Sequence, residues 1–139
     1  MKHNLILRVI AKLLIPIIVL YALYVQFHGD FGPGGGFQAG VIFSVAFIFY
    51  ALVYGIETAE RVMPESVLRT LASLGVLIYA GTGVATLLLG GNFLDYNVLA
   101  SNPIAGQHIG ILVIELGVGI TVSSVMLLIF FTFVGRGRQ

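Results

Sequence analysis

Three adjoining segments decide the architecture: "LILRVIAKLLIPIIVLYALYVQF" (residues 5–27), "HGDFGPGGG" (28–36) and "FQAGVIFSVAFIFYALVYGI" (37–56). Two unbroken apolar runs flank a short, glycine-rich hinge. Each run reaches the ~20 residues that a helix needs to cross about 30 Å of hydrocarbon. Continuous apolar runs exclude the alternating strands of a membrane β-barrel. A helix satisfies its own backbone hydrogen bonds, which lipid cannot do. Two further apolar runs follow, Val67–Leu89 and Ile109–Val134. The expected fold is an all-α integral membrane protein of four transmembrane helices with short loops. It forms a single domain over residues 1–139, with helices at about 5–27, 37–56, 67–89 and 104–134.

Composition agrees. The chain has 58% hydrophobic and 9% charged residues, against roughly 25% charged in soluble domains. Its mean hydropathy is +1.04. A net charge of +1 with no basic block excludes phosphate-backbone recognition. The absence of Cys removes disulfides, thiolate chemistry and iron–sulfur ligation. The first run is too long for the apolar core of a signal peptide, and no Ala-x-Ala site follows, so it reads as a retained span.

All seven Lys and Arg residues fall on one side of a four-span plan. Lys2, Arg8 and Lys12 precede or open helix 1, Arg61 and Arg69 flank the turn between helices 2 and 3, and Arg136 and Arg138 follow helix 4. The positive-inside rule makes that side, and both termini, cytoplasmic. If helix 1 started after Lys12 it would be too short, so Arg8 and Lys12 lie in its first turns with their heads snorkelling to the interface. Pro16 can kink this helix. "ETAERVMPES" (57–66) joins helices 2 and 3, with Glu57 and Arg61 spaced as an i,i+4 pair. On the outer side, Asn102 can cap helix 4 with Pro103 at its first position.

The hinge matches no soluble motif. Asp30-Phe31-Gly32 spells a kinase triplet in a chain with no room for a kinase, and no G-x-G-x-x-G nucleotide loop is present. Its glycines allow a tight turn that gathers N–H groups at the start of helix 2, where the dipole favours an anion. Gly36 and Gly40 form G-x-x-x-G, a close-packing signature. Gln38 can bond irregular backbone. The stretch reads as a packed, partner-facing loop, with a plain surface turn as the alternative.

Glu115, inside "IGILVIELGVGITV" (109–122), is the sharpest single feature. An acid at the bilayer centre costs ~2.5–3.5 kcal/mol on insertion scales, so it should face protein or water. Burial penalises its charged form, which suits a proton carrier. A structural acid bonding another subunit is the alternative. His108 lies seven residues earlier on nearly the same face, about 10 Å away and too far for contact. Gly119, at i+4 from Glu115, admits a close neighbour. Gly106 and Gly110 repeat the G-x-x-x-G spacing. Lys12 is either a snorkelling cation or a buried contact or relay. His28 and Asp30 stand at the outer water boundary. The scattered His and acids make no metal site, and no nucleophile–base arrangement or cofactor motif points to an enzyme.

"FHGDFGPGGGFQAGVIFSVAFIFYALVYG" (27–55) closely resembles the B subunit of the multisubunit Mrp-type (Mnh) sodium/proton antiporters. The specific part is Pro33, Gly34, Gly35, Gly36, Phe37 and Gln38. The four-helix plan, "LRVIAKLLIPIIVLYALY" (7–24) and "GILVIELGVGITV" (110–122) extend the resemblance over nearly the whole chain. It implies a bacterial inner-membrane assembly of about seven different proteins that exchanges Na+ or K+ for H+. Large subunits would carry the main proton channels, and this small subunit would be needed for assembled activity. A related domain occurs in membrane-bound hydrogenase complexes, so a redox-driven assembly is one alternative. A self-contained homo-oligomeric transporter and a pure assembly scaffold are the others.

Overall fold

A computed structural model of the chain describes residues 2–29 and 34–136. Its elements are α1 (Lys2–His28), α2 (Gly36–Tyr54), α3 (Ile56–Val62), α4 (Glu65–Leu88), a 3-10 turn (Tyr96–Leu99) and α5 (Pro103–Arg136). Among the described residues there is no strand. Four segments are long and apolar enough to cross a membrane: Leu5–His28, Gly36–Tyr54, Glu65–Leu88 and Pro103–Gly135.

The connection after α2 is more ordered than a loop. Gly55, at φ +94°, ends α2, and α3 begins at the next residue. The expected Glu57–Arg61 pair is not made. The ion pair of this region joins Glu65 to Arg69 at 3.0 Å, one turn into α4. Glu57 and Arg61 are both exposed, and an exposed pair on a helix this short has little to offset the entropy of fixing two side chains. Arg8 belongs to the same end of the molecule. Its carbonyl accepts the Tyr54 hydroxyl at 3.1 Å, and its guanidinium lies 5.9 Å from the Tyr54 ring.

The helices form an open row. α1 packs on α2, α2 on α5, and α5 on α4, while α1 and α5 touch only briefly. Small residues line the contacts: Ala11, Ala22, Ala39, Ala46, Ala51 and Ala59 are all buried. Lipid tails are as apolar as leucine, so helices in a membrane gain little by hiding large side chains from them. They gain by close backbone approach. The larger buried side chains, Leu68, Leu127 and Phe131, gather with Ala51 and Ala59 beside α3.

α5 is the hub, with two faces. Residues two apart on a helix project to nearly opposite sides. Gly119 lies against Gly36 and Gly40 of α2, whereas Gly117 lies against Gly75 of α4. Thr121 donates to the Gly117 carbonyl of its own helix at 2.9 Å and reaches the Ala72 carbonyl of α4, across the second seam, at 3.4 Å. The α1–α2 turn meets α5 at Glu115, partway along its length. From Pro103 to Glu115, α5 runs on for about 18 Å at 1.5 Å per residue, paired with the C-terminal half of α4.

The connection between α4 and α5 is tied down locally. Thr86, buried in α4, accepts the Leu94 N–H at 2.9 Å. Asp95 accepts from the Asn97 amide at 2.9 Å, and Gln107 donates to Asn97 at 3.0 Å. The Tyr96 ring covers Gly110, and its backbone covers Gly106, so this G-x-x-x-G receives the chain's own loop. Burial, with Tyr79 beside it, pushes the Tyr96 phenol above its usual pKa. Asn102 accepts the Ile104 N–H at 3.0 Å, with Pro103 first in α5, as expected.

Two predictions follow from this packing. Gly36→Ala would drive a side-chain carbon into the Glu115 carbonyl, whereas the same change at Gly81 meets nothing within 4 Å. Gly36→Ala should therefore abolish accumulation of folded protein, and Gly81→Ala should be neutral or stabilising by up to about 1 kcal/mol. Thermal unfolding in detergent reads both. Asn102→Ala should cost about 1 kcal/mol through loss of the cap, read in the same assay.

Candidate functional site: the Glu115 junction

Gly35 starts α2 with no side chain able to cap it. The first N–H groups of a helix have no partner within it, and its positive end favours a nearby anion. The Glu115 carboxyl group lies at that position. A side-chain carbon at Gly35 would fall 2.5 Å from Glu115 Oε1, and one at Gly29 would collide with Oε2. The carboxylate therefore sits between the last residue described after α1 and the residue that begins α2. Gly35 has φ +104°, a conformation that side chains other than glycine's rarely adopt. Gly36 rests directly on the Glu115 backbone, and Gly40 on that of Gly119. These glycines leave room for one carboxylate and one helix.

The remaining candidates divide. Gly34, Gly35, Gly36 and Gly40 are at or beside the junction. Phe37 and Gln38 are exposed, although Gln38 Oε1 stays near Gly34. His28 is half-buried and stacks on Tyr24 at 5.2 Å. Asp30 and Pro33 lie outside the described residues. His108 is exposed on α5, two turns from Glu115. Lys12 is exposed on α1, about 25 Å along the helix from Gly29, so the structure does not bring it to the acid. Among the described residues no group of His and acids could hold a metal ion.

Sequence reasoning missed Gln26. It is 6% exposed, and its Oε1 lies over Gly119, one turn from Glu115. Its Nε2 is buried without a hydrogen-bond partner. A cavity of about 150 Å³ between α1, α2 and α5 is lined by Gln26, Ala39, Gly40, Gly119 and Ser123, among others. The available signal was a lone amide inside the apolar run "VLYALYVQF" (19–27), overshadowed by the charged and glycine-rich residues that follow it.

Comparison with known proteins gives these features a context. Residues 6–128 match the family described as a domain related to the MnhB subunit of Na+/H+ antiporter. The chain is 35% identical, over 143 aligned positions spanning the whole of both proteins, to proteins of Staphylococcus aureus strains Newman, JH1 and COL named "Putative antiporter subunit mnhB2". With the Pro-Gly-Gly-Gly-Phe-Gln stretch and four apolar helices in place, the chain is a membrane protein that belongs to the MnhB family of antiporter subunits.

Proposed function

We propose that this chain is a small, non-enzymatic subunit of a multisubunit monovalent cation/proton antiporter in the bacterial plasma membrane. It is required for assembly and antiport, and Glu115 contributes to the ion path. Its partners are the other proteins of an assembly of about seven different chains, and the transported species are Na+ or K+ and H+. The observation that carries this reading is the Glu115 carboxylate, held between two helix ends by glycines. An acid retained among membrane-spanning helices is costly unless it pairs or works. The start of α2 offsets that cost, and Glu115 is only half-buried. The row of helices, with large apolar side chains such as Leu13, Leu20, Leu52 and Leu88 exposed along it, suits a subunit flanked by others. Both termini face the cytoplasm, a reading supported by the gathering of Arg8, Arg61 and Arg69 at the end where α2 finishes.

Glu115→Gln tests the role of the acid. The variant complex should form at wild-type yield, and antiport per complex in everted vesicles should fall at least about tenfold, as expected for losing one proton-transfer group. Wild-type antiport would refute a role for Glu115 in the ion path. Loss of complex with unchanged turnover in what remains would make Glu115 structural. Gentle extraction and native mass measurement test the assembly itself. A large hetero-oligomer is expected, and a homodimer or homotetramer would overturn the reading.

A further inference from the structure

We propose that Gln26 is the positioning residue of the Glu115 junction, and that its amide reaches the carboxylate through one bound water molecule. This rests on the reading of Glu115 as a working carboxylate.

Gln26 Nε2 is a buried donor with no acceptor. A buried amide N–H without an acceptor costs roughly 1–3 kcal/mol, and within a membrane-spanning layer no bulk water relieves it. The amide's orientation is set by its other end. Gln26 Oε1 faces the α-hydrogen side of Gly119, where any larger residue would displace it. Nε2 is the atom left over. Glu115 is the carboxylate within one turn on both helices. Gly119 is four residues beyond it on α5, and Gly29, which abuts the carboxylate, is three residues beyond Gln26 on α1. Three residues of helix span about 4.5 Å. The two groups are thus neighbours along the helix, yet Nε2 makes no direct bond, and a single bridging water is the link that joins them. Such a water also has the Gly36 carbonyl nearby, since that oxygen is 3.3 Å from the position a Gly119 side-chain carbon would take. A buried water needs two to four polar partners, and Gln26, Glu115 and Gly36 provide three.

The arrangement does chemical work. The amide can only donate from Nε2, so the water it holds turns its own hydrogens toward the carboxylate. This water then joins the start of α2 among the groups that face the Glu115 carboxylate. The other ionisable groups around it are few. His28 lies two residues beyond Gln26 on α1, and His108 lies two turns away on α5. α2 presents none in its first turns, from Gly36 to Phe47. Asp30 lies outside the described residues.

The test uses a hydrophobic carbodiimide, which modifies protonated carboxyl groups in membranes. The assembled complex is treated at pH 8, and the label on Glu115 is followed by peptide mass spectrometry, with Glu115→Gln as the blank. Gln26→Met keeps the length of the side chain and removes the donor. Glu115 in this variant should be labelled about tenfold faster than in the parent, the equivalent of one hydrogen bond to a charged group. Equal rates would overturn the proposal. If Gln26→Met fails to accumulate, Gln26→Asn replaces it. Its amide is one methylene shorter and loses the water, so faster labelling is again expected and an unchanged rate again refutes. The labelling readout is independent of transport. A neutral Glu115→Gln in the antiport assay would remove the functional reading and leave the Gln26 result standing.

Discussion

The start of α2 resting on α5 at Glu115 is the contact on which the rest of the structure depends. A helix beginning with glycines can lay its backbone against another helix, and here Gly36 touches the main chain of Glu115 itself. The contact fixes the angle and depth at which the α1–α2 pair joins the rest. It also places a carboxylate beside unpaired N–H groups. Packing and electrostatics are thus satisfied by one set of residues. Side chains on the glycines would remove the close approach and the space for the acid together.

α5 transmits this contact across the layer. Its sequence "ELGVGITV" (115–122) alternates small residues so that Gly119 serves α2 while Gly117 and Thr121 serve α4. Each face is narrow and specific. Van der Waals contact between backbones, with hydroxyl bonds at the edges, replaces the hydrophobic burial that organises soluble cores. The amide of Gln26 brings a buried polar group to the meeting of α1, α2 and α5.

The four spans were legible because membrane thickness imposes a length on apolar runs, and runs of that length leave little ambiguity. The cap at Asn102 was legible because its chemistry is local. α3 was not, since "IETAERV" (56–62) lies among turn-forming and charged residues that mask one short helix. The meaning of Gly36 and Gly40 was half visible. Their spacing announced close packing, but nothing in one sequence says which helix receives them, and the receiver is α5 of the same chain. Glu115 stood out as an acid in an apolar run. Its company, Gly29, Gly35 and Gln26, comes from residues 80 or more positions away in the chain, and no local pattern encodes such a meeting.

The row of helices has a cellular consequence. A layer one helix thick has two broad faces and almost no interior, and α1 is the least enclosed of the four spans. Left without neighbours, such a subunit displays nearly its whole surface to lipid, with a half-buried acid beside the α1–α2 turn. Membrane proteases recognise such surfaces on unassembled chains. Its abundance should therefore track that of its companions, making its lifetime a gauge of whether they have arrived.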